Sequence, residues 1–378
     1  MLAAALLCIP GCSSNKSPPV DLAKVHHFEA QGYPAPHEFD TSESEDVRLI
    51  NGLPERLVWC RPLESGVHPL LIYMPGQGQN AHAFEPGRHA LAQAGYVVMS
   101  WQPLPEDEMP SGQSNQNGWQ GQRYAAPLLQ KRSELLRQLH ADLLKSQGKG
   151  DQQLQGVNLS QIGLIGFDLG AYTVAHAAGE AVSGTEAVLA PSPFKAYIVI
   201  SPYASFEQGA FDTRYKGMSA PLLTLTSDSD VDPNGGIPAA YLRTAPFGNM
   251  PAGNKYMLVM RGARHATLGE QSEAEDGHTP FEDGHDKNQG KSGERRGQDG
   301  RGGKGRSKGS RSGDVASGDK TAGDSGRSPT TTAMQRTALT TVSIAFLDAY
   351  LLDDTLAHQW LQSQAGKWLS PIGDWRSK

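Results

Sequence analysis

Cysteine is nearly absent: the 378 residues hold three, two of them within the first twelve positions. If that N-terminal stretch is removed, only Cys60 remains, and a lone cysteine forms no internal disulfide. It ends the strand-like run Arg56–Cys60 and reads as a small buried hydrophobe. Histidine, cysteine and carboxylate residues do not cluster at a metal-ligand spacing, although His278 and His285 lie in one acidic stretch. No metal and no cofactor are therefore expected. The net charge of −6 gives no reason to expect nucleic-acid binding. Apolar content is 38%, low for a compact enzyme, and one long polar segment accounts for much of the deficit.

The only apolar run at the N-terminus, Met1 to Ile9, is too short to cross a bilayer. It ends in small residues and reads as an export signal. Ile9-Pro10-Gly11-Cys12 resembles a bacterial lipobox, although a basic n-region is missing. Cleavage there would leave Cys12 as a lipidated first residue, and Ser13 resembles the outer-membrane sorting pattern. The implied location is the Gram-negative cell envelope, with a lipid anchor in the outer membrane.

The expected division is a signal at 1–12, a polar tether at 13–44, a core at 45–269, an insert at 270–331 and C-terminal helices at 332–378. The insert begins acidic (Glu273, Glu275, Asp276), turns basic (Arg295, Arg296, Arg301), and has almost no large apolar residue. Such a composition buries too little surface to offset its ordering entropy, so it reads as a disordered, solvated linker.

The core has the opposite character. Asp46–Ile50 and Arg56–Cys60, joined through Asn51-Gly52, predict a hairpin. Pro69–Met74, Tyr96–Trp101, Gln161–Ile165, Lys195–Ser201, Pro221–Thr226 and Lys255–Met260 are short apolar runs, the mark of parallel strands buried on both faces. Helices are expected over 86–94, 132–145, 171–180, 333–352 and from Asp354 to near Trp368. Alternation of strands and helices predicts a doubly wound α/β fold with a mostly parallel sheet.

Gly166-Phe167-Asp168-Leu169-Gly170 is the most informative motif. It lies between an expected strand and an expected helix, and its glycines permit a turn that side chains would obstruct. Ser227-Asp228-Ser229-Asp230-Val231-Asp232-Pro233 and Gly262-Ala263-Arg264-His265 follow later strands. With Met74-Pro75-Gly76-Gln77-Gly78, these pieces resemble the α/β-hydrolase superfamily, most closely its dienelactone-hydrolase-like and platelet-activating-factor-acetylhydrolase-like esterases. The order nucleophile, acid, histidine is that of the superfamily.

The resemblance implies that Asp168 occupies the nucleophile place, that Asp230 orients His265, and that His265 is the base. It further implies that backbone N–H groups of Gln77 and Leu169 form an oxyanion hole. Two positions depart from the pattern: Phe167 replaces the usual histidine and Asp168 the usual serine.

The family resemblance favours a small-molecule or lipid-like ester substrate. Asp168 favours C–halogen or epoxide substrates, because a carboxylate attacking an ester would form a high-energy anhydride. The superfamily members that use an aspartate carry a helical cap with Trp or Tyr donors. Ser201 to Ala220 is too short for such a cap, whereas 105–130 contains Trp119 and Tyr124. A non-catalytic envelope lipoprotein that binds a ligand or partner is the third reading.

Overall fold

Short apolar runs bounded by turns become the strands of one sheet in this computed structural model. It describes residues 18–50, 52–108, 122–186, 192–233, 236–271 and 328–378. Cys12, Trp119 and the bulk of the insert lie outside the described residues.

Among the described residues nine strands occur: β1 (Thr41–Ile50), β2 (Leu53–Pro62), β3 (His68–Met74), β4 (Val97–Trp101), β5 (Val157–Phe167), β6 (Ala196–Ile200), β7 (Leu222–Ser227), β8 (Lys255–Met260) and β9 (Gly373–Ser377). Their spatial order is β1-β2-β4-β3-β5-β6-β7-β8-β9. The stretch from β4 through β8 is parallel. The pairs β1–β2, β2–β4 and β8–β9 are antiparallel. The expected α/β class with a mostly parallel sheet is thus observed.

Two hydrophobic cores cover the two faces, and alternate residues of each strand feed them. Leu71 and Tyr73 of β3 join one core; Leu70, Ile72 and Met74 join the other. The first core is closed by α1 (Leu22–Glu29), α2 (Glu85–Gln93), α8 (Pro329–Leu351), α9 (Thr355–Ser363) and α10 (Ala365–Leu369). The second is closed by α3 (Ala126–Gly148) and α4 (Leu169–Ala177), with the short α5 (Phe211–Arg214) and α6 (Ala245–Asn249) at its margin. A one-turn helix, α7 (His265–Leu268), follows β8.

The expected tether is corrected over its described part. Residues 22–29 form α1, capped by the Asp21 side chain, and Thr41 already begins β1. Phe28 is buried and stacks on Trp368 with ring centroids 4.5 Å apart. Trp368 Nε1–H donates to the Phe28 carbonyl at 2.8 Å, and the Asp21 N–H donates to Thr330 Oγ1 at 2.8 Å. These partners are more than 300 residues away, so local composition carries no trace of them. Near the other end, β9 is an additional strand, and the helix expected from Asp354 is broken into α9 and α10.

The arrangement has a topological switch point. The chain leaves β3 through α2 on one face to reach β4, and leaves β5 through α4 on the other face to reach β6. Connections departing in opposite directions open a crevice beyond the carboxyl ends of β3 and β5, where ligands bind in open α/β sheets.

Candidate active site

Gly76, Gln77 and Asp168 lie at this crevice. Gly166 and Gly170 make the turn between β5 and α4 sterically possible. A Cβ on Gly170 would lie 1.9 Å from the Met74 carbonyl oxygen, and one on Gly166 would lie 2.4 Å from the Gly170 carbonyl carbon. Asp168 has φ 50° and ψ −108°, strained for a residue with a side chain. Its N–H donates to the Ile200 carbonyl at 2.9 Å, which fastens the turn to β6.

The loop after β3 is equally fixed. The Gly76 N–H donates to Gln79 Oε1 at 2.8 Å, the Gly78 N–H to the Asp107 carbonyl at 2.7 Å, and Gln102 Nε2 to the Gly76 carbonyl at 3.3 Å. The Gln77 N–H is thereby aimed at Asp168 Oδ2, 3.3 Å away. The other oxygen, Oδ1, accepts from the Tyr124 hydroxyl at 2.8 Å and lies 4.0 Å from His265 Nε2. Leu169 opens α4, and first-turn N–H groups have no partner within their own helix.

Asp230 and His265 follow β7 and β8. His265 Nδ1–H donates to Asp230 Oδ1 at 2.8 Å, and the His265 ring packs on Phe167 with centroids 4.7 Å apart. Asp230 Oδ2 accepts from Ser201 Oγ at 2.5 Å and from Thr226 Oγ1 at 2.9 Å. Arg243 reaches Asp230 Oδ1 at 3.3 Å and donates to the carbonyls of Asp230 and Ser201 at 3.0 and 2.8 Å. Ser201, at φ 54°, is a second strained residue of the site. Asp168, Asp230 and His265 are only 2%, 0% and 5% exposed.

Burial governs the electrostatics, and the charges then oppose or reinforce it. For Asp230, burial favours the neutral acid, but Arg243 and then His265 outweigh it and hold the carboxyl below the ordinary aspartate range. For His265, burial disfavours the cation. The hydrogen bond to Asp230, the Asp230 charge and the Asp168 charge overcome it and raise the histidine above its ordinary value. Burial first, and then the charges of Asp168 and Asp232, push the Tyr124 phenol far up, so Tyr124 keeps its proton and donates.

All three expected side chains, with the Gln77 backbone, therefore meet in one network. Ser201, Thr226 and Arg243 belong to it without having been expected. Ser201 ends an apolar strand run whose position was legible; Arg243, in the 3₁₀ turn Ala240–Thr244, has no comparable signal. Tyr124 stacks on Tyr203 at 4.0 Å, which forms an aromatic wall beside Asp168. Among the described residues, the cluster with metal-ligand character, Glu43, Cys60 and His89, does not include these side chains.

Compared with known proteins, the chain matches no family model, and no curated protein is similar enough to count as a relative.

Proposed function

We propose that this chain is a hydrolase of the α/β-hydrolase type in which Asp168 is the nucleophile. The observation that carries this reading is the Asp168 carboxylate itself, with Oδ2 on the Gln77 N–H and Oδ1 between Tyr124 and His265. The Gln77 N–H is a donor that the oxyanion of an ester substrate would need. Here the enzyme's own carboxylate oxygen takes it, which favours attack on a saturated carbon over acyl transfer.

In this mechanism Oδ1 attacks a carbon bearing a halide or epoxide oxygen, and the carbon–leaving-group bond breaks with its electron pair. The Tyr124 hydroxyl donates to a departing epoxide oxygen, and His265 is the proton reservoir that restores it. Asp168 is now a neutral ester, so one cause of the raised His265 pKa is gone, and where a halide has left, the imidazolium gives its proton to solvent. Neutral His265 takes a proton from water, and the hydroxide adds to the ester carbonyl. The negative charge that develops on Oδ2 faces the Gln77 N–H, with the Leu169 N–H as second donor. Collapse releases the alcohol, protonated by His265, and the carboxylic acid left on Asp168 gives its proton back to His265, which restores the carboxylate and the imidazolium.

Burying two carboxylates, an imidazole and a guanidinium costs stability that an apolar core would not. Such perturbed groups and strained backbone gather where chemistry is done.

The His265→Gln variant tests the proposal. Incubated with a short epoxide or an alkyl bromide, it should accumulate one covalent adduct on the peptide containing Asp168, detected by mass spectrometry. Asp168→Asn should form none. Hydrolysis of a p-nitrophenyl ester without any alkyl adduct would instead support acyl chemistry. The near-complete burial of Asp168 and His265 favours a second reading, a closed ion-pair assembly that binds without turnover. Absence of both adduct and turnover would favour it.

A further inference from the structure

A second constellation lies away from the Asp168 site, on the first two strands. Glu43 of β1 and Cys60 of β2 are direct partners in the antiparallel ladder. His89 reaches them from α2. Cys60 Sγ is 3.6 Å from His89 Nδ1, and Glu43 Oε2 is 3.8 Å from His89 Nε2. One ligand atom from each of the three residues lies within 4.8 Å of the other two. Thr41 Oγ1 is 2.9 Å from the same Nδ1.

The Cys60–His89 spacing fits a tetrahedral ion. With zinc–sulfur and zinc–nitrogen bonds of about 2.3 and 2.05 Å, the observed sulfur–nitrogen separation corresponds to an angle of roughly 110° at the metal. Ligand type agrees, since thiolate and imidazole are donors that zinc prefers. An outer shell exists as well. Arg88, fully buried, holds Glu43 Oε2 at 2.7 Å and is itself fixed on the His82 carbonyl at 2.6 Å. Hydrogen-bonded carboxylates of this kind are oriented for ligation. Cys60 is buried, His89 half-buried and Glu43 exposed, so an ion has a route from solvent.

We propose that Glu43, Cys60 and His89 form a zinc site that pins the β1–β2 hairpin to α2. On binding, the Cys60 thiol loses its proton to solvent. The ion then faces one thiolate, one carboxylate and one neutral imidazole, and its fourth position takes water or the Thr41 hydroxyl. The ligands lie 17 and 29 residues apart along the chain, so no short motif announces them.

Cobalt(II) titration of the chelator-treated full-length chain tests the site. One equivalent should bind, with a thiolate-to-cobalt charge-transfer band in the near ultraviolet and the strong visible bands of tetrahedral cobalt, both removed by zinc. His89→Ala, at a half-exposed position that spares the core, should weaken binding at least ~100-fold, beyond the usual cost of losing an outer-shell partner. Cys60→Ser should abolish the charge-transfer band, with circular dichroism confirming that the variant is folded. A missing band in the wild type would overturn the proposal. So would stoichiometric binding left unchanged by His89→Ala, which would assign the ion to other ligands such as His278 and His285.

Discussion

Asp230→Asn isolates the electrostatics of the candidate site. Asp230 is fully buried and meets four groups, of which Arg243 and His265 are cationic or become so. Asparagine keeps the shape and removes the charge. Arg243 is then a buried guanidinium facing only carbonyl oxygens, and removing one partner of such a pair costs about 3–5 kcal/mol. At an m value of about 3 kcal/mol per M, the urea midpoint should fall by roughly 1–1.7 M with its slope unchanged. Tryptophan fluorescence follows the transition. Arg243→Met in the same background should recover part of the loss, because the charge left without a partner is gone; coupling between such contacts reaches ~3 kcal/mol. A midpoint shift below ~0.3 M, or strictly additive costs, would refute the claim that Asp230 and Arg243 depend on each other.

Further predictions concern pH, the turn and the N-terminal helix. His265 is raised in the folded state, so its contribution is complete below the unfolded value near 6.5 and is lost as pH rises through the folded value. Burial raises Glu270 to about 7 against the Gly87 N–H and the Arg336 and Arg88 charges. Its effect has the same sign, with stability falling as pH rises from about 4.3 to that value. Urea midpoints across pH 4–9 should therefore decline on the alkaline side, and Glu270→Gln should flatten the segment below pH 7. Gly170→Ala should prevent accumulation of soluble folded protein, since its methyl group would penetrate the Met74 carbonyl; soluble yield and circular dichroism read this out. Phe28→Ala should cost ~3–5 kcal/mol by emptying the stack on Trp368, and limited proteolysis should then cut first within α1.

The sequence was most readable where burial is two-sided. Leu70 to Met74 and Tyr197 to Ile200 are apolar without interruption because both faces of the sheet are covered, and their places along the chain are as expected. Asp168, Asp230 and His265 were legible because each follows such a strand. Elements that depend on remote partners were not. In α1 only Phe28 is buried, where it meets Trp368. In β9, Gly-Asp-Trp-Arg-Ser has no alternation, because only Trp375 packs inward against Tyr256. Arg243 sits in an irregular turn, where composition says nothing of the carboxylate it will meet.

Helix α8 carries a consequence for how the molecule holds together. It supplies the first core with Val342, Phe346 and Leu347, and it reaches that core from beyond residue 327. None of its contacts requires a peptide chain between Gln271 and Ser328. A protease cut in that interval would leave two pieces joined by packing and by hydrogen bonds such as those of the β8–β9 ladder, with no covalent link, an intramolecular interface turned into an intermolecular one. Stability of the nicked protein would then depend on concentration, as for a dimer. Separately expressed halves become a complementation pair in which every property of the Asp168 site reports on reassembly.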